Sequence, residues 1–267
     1  MKSELIYGES FDAYKARVGM NASVLKAGSV SMKAMRYAAT HGKEDTASLA
    51  FGRIGHAAVL ENGLSADRFA VWVGRRAGNK YDAFKESAES DGKVVITDGE
   101  RDELTALVAA VHSNAEAHQI IEETKHEVSC VWNESGYGPA KCRFDGLSAD
   151  WYMEWKTTSK KTPREFENQA YSLGYHIAAA HYLAGAQACG LCPNIRIIST
   201  ESTAPFDTVV WRVDDAWLEH GQNERERIWK AYIECGGRGI YPGHGADEHI
   251  LSLPTWAMNN AEVNLED

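Results

Sequence analysis

The sequence predicts an α/β protein with a mixed β-sheet flanked by helices, and three observations support this fold class. Segments with the apolar spacing of helices lie on both sides of a central block whose apolar residues alternate as they do in strands. Two turn-forming segments divide the central block into three strands of an antiparallel meander. A capping box then starts another helix, which is followed by two more strand-like segments. This order of elements is typical of a sheet covered by helices.

The composition fits one globular domain. The chain has 267 residues, of which 44% are hydrophobic and 25% charged, and this balance is far from that of disordered or fibrous proteins. We expect a single domain over 1–267 with its core at about 46–213 and helical additions at both ends. No apolar run approaches the roughly 18 residues of a membrane helix, and the N-terminus lacks the apolar run of a secretory signal. We therefore expect a cytoplasmic protein without a membrane partner, and its five cysteines to be reduced thiols.

The N-terminal part of the chain is predicted to be helical. Asn21 caps a segment with helical apolar spacing, and this segment is expected to stop at His41-Gly42. A second helix is expected from about Thr46 to Glu61, closing at Asn62. It carries His56 on the same face as a glycine one turn earlier.

A polar segment separates these helices from the next one. Residues 74–91 (GRRAGNKYDAFKESAESD) are charged and contain glycine, which predicts a mobile loop followed by a short helix. After VVIT, Thr97 or Asp98 caps a longer helix over residues 100–121.

Three strands follow, because the apolar residues change to a period of two. The strands are expected at 126–132, 139–147 and 151–156, with turns at 133–138 and 148–150. In this pattern Asp145 lies on the face opposite to Phe144, and Glu154 and Lys156 lie on the face opposite to their tryptophan neighbours.

The C-terminal half returns to helices. Thr162, Pro163 and Glu165 form a capping box with proline at the first helical position, and the helix is expected to run to about Cys189 with a bend at Gly174. NIRIIST and FDTVVWRV predict two more strands, and an aspartate caps a last helix that is expected to end at residues 236–237.

The meander carries the residues that predict chemistry. If the strands pair as expected, Asp145, Glu154 and Lys156 project from one face. Residues i and i+2 of a strand are roughly 6.6 Å apart, and a magnesium–oxygen bond is about 2.1 Å long. Glu154 can therefore bind a hard cation while the Lys156 ammonium reaches a water molecule bound to that cation. Two neighbouring carboxylates repel unless a cation offsets their charge. This pattern indicates metal-assisted phosphodiester hydrolysis, although a plain cross-strand salt bridge has the same spacing.

Asp145 and Glu154-Trp155-Lys156, in the order helix, three strands, helix, strand, resemble the PD-(D/E)xK nuclease superfamily and its restriction-endonuclease-like core. Phe144 stands where that pattern often has proline. A wider set of segments is similar to the RecE-type exonuclease domain, as in the C-terminal domain of exodeoxyribonuclease VIII. These segments are GRIGHAAVLE, GRRAGNKYDAF, GKVVIT, CRFDGLSADWYMEWKTT, Tyr175-His176 and LSLPTWA.

The resemblance implies a double-strand DNA exonuclease that depends on Mg²⁺, with Mn²⁺ as a substitute. Such an enzyme digests one strand from its 5′ end and leaves 3′ single strands for recombination. The resemblance also implies a homo-oligomeric ring threaded by DNA and a single-strand annealing protein as a partner. A ring with a basic channel would reconcile DNA binding with the net charge of −10.

Matched position by position, the resemblance assigns roles to four residues. Asp145 and Glu154 match the metal-binding carboxylates, and Lys156 matches the catalytic lysine. His56 matches a histidine that adds a nitrogen ligand to the metal site. Without the resemblance, a helical histidine beside glycine is more often structural.

Three residues are candidates for DNA contacts. Arg75 and Arg76 lie in the predicted loop, where an ordinary exposed loop is the alternative interpretation. Tyr182 matches a tyrosine that relatives carry four residues after a glutamine, and this chain has Ala178 at the glutamine position. The role of that amide near the scissile phosphate is therefore missing or supplied elsewhere.

Two other functions stay open at this point: a structure-specific endonuclease of the same superfamily, and a degenerate module that binds DNA ends. Cys189-x-x-Cys192 lacks the second ligand pair of a zinc or iron–sulfur site. The segment GHGADEH at residues 243–249 contains metal-ligand residue types but is interpreted as a solvated loop.

Overall fold

The computed structural model describes residues 2–41, 47–61, 63–246, 248 and 250–253. The predicted helix boundaries at Gly42, Thr46 and Asn62 lie outside these residues. So do residues 247 and 249 of the GHGADEH segment and residues 254–257 of the LSLPTWA segment.

A six-stranded mixed sheet forms the centre of the molecule, which confirms the predicted fold class. The described residues contain eight strands in two sheets: β1 (Glu4–Ile6), β2 (Phe69–Trp72), β3 (Val94–Thr97), β4 (Lys125–Glu134), β5 (Gly138–Leu147), β6 (Trp151–Thr158), β7 (Asn194–Glu201) and β8 (Thr208–Arg212). The main sheet has the order β1-β4-β5-β6-β7-β8, and β2 and β3 form a separate parallel pair. Strands β4, β5 and β6 pair antiparallel as predicted, whereas β6 and β7 are parallel.

Helices cover both faces of this sheet. They are α1 (Phe11–Ala16), α2 (Ala22–Val30), α3 (Met32–His41), α4 (Ala47–Leu60), α5 (Asn79–Ser90), α6 (Asp98–Ser113), α7 (Ala115–Glu122), α8 (Pro163–Ser172), α9 (Tyr175–Ala188) and α10 (Asp215–Arg238), with a 3₁₀ turn at His244–Ala246. Within the described part of the chain, no helix combines the length and apolar content needed to cross a bilayer.

Three predicted helical segments are each divided in two. The segment from Asn21 to His41 is divided at Ser31, whose extended backbone ends α2. Asn114 ends α6, and its side chain accepts a hydrogen bond from the Ala117 N–H, which starts α7. Gly174 has a φ of 68° and separates α8 from α9 at the position where a bend is predicted. Caps therefore decided these boundaries, because an Asx cap or a left-handed glycine stops a helix even where the apolar spacing continues.

The apolar pattern does not predict strands β1, β2 and β3. They have only three or four residues each, which is too short for alternation to be recognised. Strand β1 pairs with the outer edge of β4, so the N-terminal addition is not purely helical as expected.

The core has two main apolar clusters, and successive residues of β6 contribute to different ones. Tyr152 belongs to the cluster under α2, α9 and α10, whereas Met153 and Trp155 belong to the cluster under α4, α6 and α7. This alternation confirms the predicted facing of β6. Helices α9 and α10 approach closely at Gly221, where a Cβ atom would lie 2.1 Å from the carbonyl oxygen of His176.

A buried polar network joins α9, α10 and β4. His181 is fully buried; its Nε2–H donates to the Lys141 carbonyl at 3.1 Å, and its Nδ1 accepts from the Arg225 guanidinium at 3.1 Å. Arg225 also pairs with Glu134. Burial, and then the charge of Arg225, lower the pKa of His181 to about 3. The imidazole is therefore neutral in the folded protein at neutral pH.

We expect this histidine to make the protein sensitive to acid. Its pKa is about 3 in the folded state and about 6.5 in the unfolded chain, so the unfolded chain binds the proton more readily between those values. The stabilisation is complete above about pH 6.5 and is lost as the pH falls toward 3. At full extent the loss is on the order of 5 kcal/mol.

Urea unfolding of the wild type and of His181→Gln between pH 7 and pH 4 measures this effect. The replacement removes the titrating group, so its free energy of unfolding should fall less steeply with acid than that of the wild type. The same replacement at exposed His41 is the control and should leave the wild-type slope unchanged. Equal slopes for His181→Gln and the wild type would contradict the expectation.

Candidate active site

The candidate active site lies where strands β5 and β6 separate. Their ladder pairs Leu147 with Tyr152 and Gly146 with Met153. Beyond these pairs, the Asp145 carboxylate accepts the backbone N–H of Trp155 at 2.8 Å. Glycine is required at position 146, because a Cβ atom there would lie 2.5 Å from the Thr124 hydroxyl.

Three predicted side chains converge at this point. The Lys156 ammonium lies 2.7 Å from Glu154 Oε1 and 3.9 Å from Asp145 Oδ2. Glu154 also accepts a hydrogen bond from the Tyr152 hydroxyl at 3.0 Å. The parallel pairing of β6 with β7 fixes the backbone, since Glu154 is in register with Ile197. The two carboxylates and the lysine therefore lie on the same side of the hairpin, as the spacing predicts.

His56 joins these residues from helix α4. Its Nε2 lies 2.9 Å from Asp145 Oδ2, and its Nδ1 lies 3.1 Å from Glu127 Oε1. The imidazole meets the Trp155 ring edge-on, with 6.0 Å between centroids. The structure thus brings together the four residues to which the resemblance assigns roles.

Glu127 is a member of the site that the sequence does not reveal. It lies on β4 with a φ of 55°, a left-handed conformation that costs a residue other than glycine on the order of 1–3 kcal/mol. The ladder between β4 and β5 is interrupted at this position, and its carboxylate contacts both His56 and Arg143. A glutamate at the start of an alternating strand has no distinctive sequence signal.

Burial and ion pairing act in opposite directions on the charges of the site. Burial raises the pKa of Asp145, but the charges of His56 and Lys156 outweigh it and hold this pKa at about 2. Burial lowers the pKa of His56, and the neighbouring Asp145 and Glu127 carboxylates raise it to about 10. The pKa of Lys156 is raised above its usual value, because Glu154 and Asp145 more than offset burial. The positive charges of His56 and Lys156 therefore offset the negative charges of the Asp145 and Glu154 carboxylates.

The donor set fits a hard divalent cation. Two carboxylates and an imidazole nitrogen converge, and oxygen with some nitrogen is the ligand chemistry of such ions. Among the described residues, however, no group of three or more His, Cys, Asp or Glu side chains is preassembled as a metal site. Lys156 and His56 occupy the carboxylate oxygens instead. A cation bound by Asp145 and Glu154 therefore competes with these two side chains.

Comparisons with known proteins agree with this geometry. Residues 22–249 match the family model described as a PDDEXK-like domain of unknown function (DUF3799). The chain belongs to this family. The prediction of a PD-(D/E)xK fold is confirmed, and nucleases of this type generally use divalent metals.

A solved structure has the same fold. It is a crystal structure from Eubacterium rectale described as a "Putative exonuclease", with 13% sequence identity and a TM-score of 0.63. The match covers 96% of this chain and 97% of the other. At this identity the similarity supports the fold alone. A search of curated protein sequences finds no match.

The two arginines that are predicted to contact DNA in this PDDEXK-like domain differ in whether their side chains already have an acidic partner. Arg75 is exposed, and no acidic partner for its side chain occurs among the described residues. Arg76 is paired with Glu100, one contact being 2.9 Å, and donates to the Val95 carbonyl. Arg76 therefore anchors its loop to the start of α6, which reduces its availability for DNA.

Tyr182 is half-buried and packs against the main apolar cluster. Its ring is stacked on Tyr152 with centroids 5.2 Å apart and an interplanar angle of 7°, and it meets Phe144 edge-on. These ring contacts give Tyr182 a packing role beside Tyr152, and its contact with DNA stays a prediction. Ala178, at the position of the missing glutamine, is buried.

Two further side chains lie beside the site. Tyr175 begins α9, and burial raises its pKa while the charge of Lys156 lowers it, which places the phenol within electrostatic range of the lysine. The Lys26 ammonium lies 5.7 Å from the centroid of the Tyr175 ring. Helix α2 thus places a positive charge beside Tyr175.

Proposed function

We propose that the protein is a Mg²⁺-dependent double-strand DNA exonuclease that digests one strand from its 5′ end and leaves 3′ single strands for recombination. The observation that carries this proposal is the convergence of Asp145, Glu154 and Lys156 at the end of the β5–β6 ladder. Membership of a PDDEXK-like family supports a nuclease. The polarity and the link to recombination rest on the resemblance to RecE-type exonucleases.

Each side chain has a task in this proposal. Asp145, Glu154 and His56 would hold the cation, which supplies a water of lowered pKa and offsets charge on a phosphoryl oxygen. Lys156 directs positive charge at the scissile phosphate, where negative charge develops in the transition state. Tyr152 orients Glu154 through its 3.0 Å hydrogen bond. Mg²⁺ is favoured because the carboxylates are hard ligands, and Mn²⁺ accepts the same set.

DNA contacts outside the catalytic centre are proposed for two basic side chains, of which Arg75 is exposed and Lys26 half-buried. Arg75 is the best candidate for a phosphate contact in the 73–78 loop, and Lys26 is a candidate near Tyr175. The net charge of −10 opposes DNA binding over most of the surface, so the duplex needs a locally basic path. A homo-oligomeric ring would provide such a path. The ring and a single-strand annealing partner stay predictions from the resemblance.

Digestion of three DNA substrates tests the proposal. Linear duplexes labelled at either the 5′ or the 3′ end, and a closed circular duplex, are incubated with Mg²⁺ or with EDTA. We expect Mg²⁺-dependent loss of the 5′ label at early times. Strands labelled at the 3′ end should keep their label while they shorten from the 5′ end, and the circle should stay intact. Nicking of the circle would favour the endonuclease. Duplex binding without hydrolysis in Mg²⁺ or Mn²⁺ would favour the DNA-end-binding module.

A further inference from the structure

We propose that Glu127 is a positioning residue for His56, holding the imidazole so that Nε2 points at Asp145 and at the cation bound there. This inference rests on the proposed metal-dependent hydrolysis. It adds a residue that neither the Glu-x-Lys pattern nor the position of His56 on α4 indicates.

The backbone of β4 is distorted where Glu127 faces the site. His126 pairs with Gly146 and Val128 with Phe144, but the intervening pair is missing from the ladder. Glu127 adopts a φ of 55°, which side chains other than glycine rarely adopt. Local interruptions of a ladder re-aim a side chain and occur beside active sites. Here the interruption turns the carboxylate toward His56.

The Glu127 carboxylate is held by a partner on each oxygen. His56 Nδ1–H donates to Oε1 at 3.1 Å, and the Arg143 guanidinium donates to Oε2. Arg143 is itself fixed, because it donates to the Glu9 carbonyl at 2.9 Å and to the Ser129 hydroxyl at 3.2 Å. The N-terminal segment therefore supports the orientation of His56 through Arg143 and Glu127.

This arrangement selects one nitrogen of the imidazole for the cation. A carboxylate on Nδ1–H keeps the proton on that nitrogen and leaves Nε2 as the ligand atom. Outer-shell carboxylates of this kind typically contribute 10- to 100-fold to metal affinity. A direct ligand role for Glu127 would also weaken metal binding on mutation, so the two roles need a test that separates them.

Calorimetric titration with Mn²⁺ and Mg²⁺ of four proteins separates them: the wild type, Glu127→Ala, His56→Ala and the double variant. We expect each single variant to bind at least about 10-fold more weakly than the wild type. The double variant should bind no more weakly than His56→Ala, because Glu127 acts only through His56. Additive losses, or a Glu127→Ala protein with wild-type affinity, would overturn the inference.

Glu127→Gln keeps the inference testable if the alanine variant is unstable. Its amide oxygen can still accept from Nδ1–H, so its metal affinity should lie closer to the wild type than that of Glu127→Ala. The exposed Glu122→Ala is the matched control and should bind as the wild type does. In the metal-loaded protein, the ¹⁵N shifts of His56 should show a protonated Nδ1 in the wild type and in Glu127→Gln. An unprotonated Nδ1 in the wild type would overturn the inference.

Different results would contradict the proposed function and the role of Glu127. A wild-type protein that takes up neither Mn²⁺ nor Mg²⁺ would contradict the proposed function and, with it, the role of Glu127. A wild type that binds metal and hydrolyses DNA, beside an unaffected Glu127→Ala, would contradict only the role of Glu127.

Discussion

Replacing Lys156 by methionine is expected to lower the rate of duplex hydrolysis in Mg²⁺ by about 100- to 1,000-fold, the usual effect of removing one group that stabilises transition-state charge. The lysine is the only cation in contact with Glu154 among the residues that the structure describes. Methionine keeps most of the apolar stem while removing the charge. Initial rates of nucleotide release from a linear duplex measure the effect.

The same variant gives a second signature. Without Lys156, Glu154 and Asp145 lie side by side with one fewer positive neighbour. Added Mg²⁺ should therefore raise the melting temperature of Lys156→Met more than that of the wild type, because a ligand that binds the folded state stabilises it. Lys230→Met, an exposed lysine on α10, is the control and should retain wild-type rates. Undiminished hydrolysis by Lys156→Met would falsify the catalytic role.

Replacing Asp145 by asparagine is expected to weaken metal binding by more than about 100-fold, since even outer-shell partners contribute roughly 10- to 100-fold. Hydrolysis should fall to the level seen with EDTA. The asparagine oxygen can still accept the Trp155 N–H, so the hairpin should keep its structure. Calorimetry with Mn²⁺ and the duplex assay measure the two effects.

Asp150→Asn in the turn between β5 and β6 is the matched control for this variant. Asp150 is exposed, and its carbonyl, which the replacement leaves in place, accepts the Asn194 N–H. This control should bind metal and hydrolyse DNA as the wild type does. Wild-type metal affinity in Asp145→Asn would show that the cation is held elsewhere.

The central hairpin and its helices could be predicted from the sequence because their signals are local. Alternation from 126 to 156 fixes strand facing, and facing brings Glu154 and Lys156 to one side. The capping box at Thr162 and the glycine at 174 mark the boundaries of α8 and α9. These features depend on neighbours in the chain, so one sequence contains them.

The rest of the site depends on contacts between distant segments. Glu127 meets His56 only after α4 packs on the meander, and its left-handed backbone has no sequence marker. Arg76 pairs with Glu100 across 24 residues, which no local pattern predicts. The spacing of Tyr182 in the chain does not show that its ring stacks on Tyr152. Tertiary packing decided each of these cases.

Anomalous diffraction from a crystal soaked in Mn²⁺ tests the proposed metal centre most directly. We expect one strong peak bonded to oxygens of Asp145 and Glu154 and to His56 Nε2, with the Lys156 ammonium displaced from Glu154. The same soak of Asp145→Asn should lose this peak. A wild-type crystal with Mn²⁺ bound elsewhere, and Lys156 still paired with Glu154, would contradict a metal-dependent nuclease centre at this hairpin.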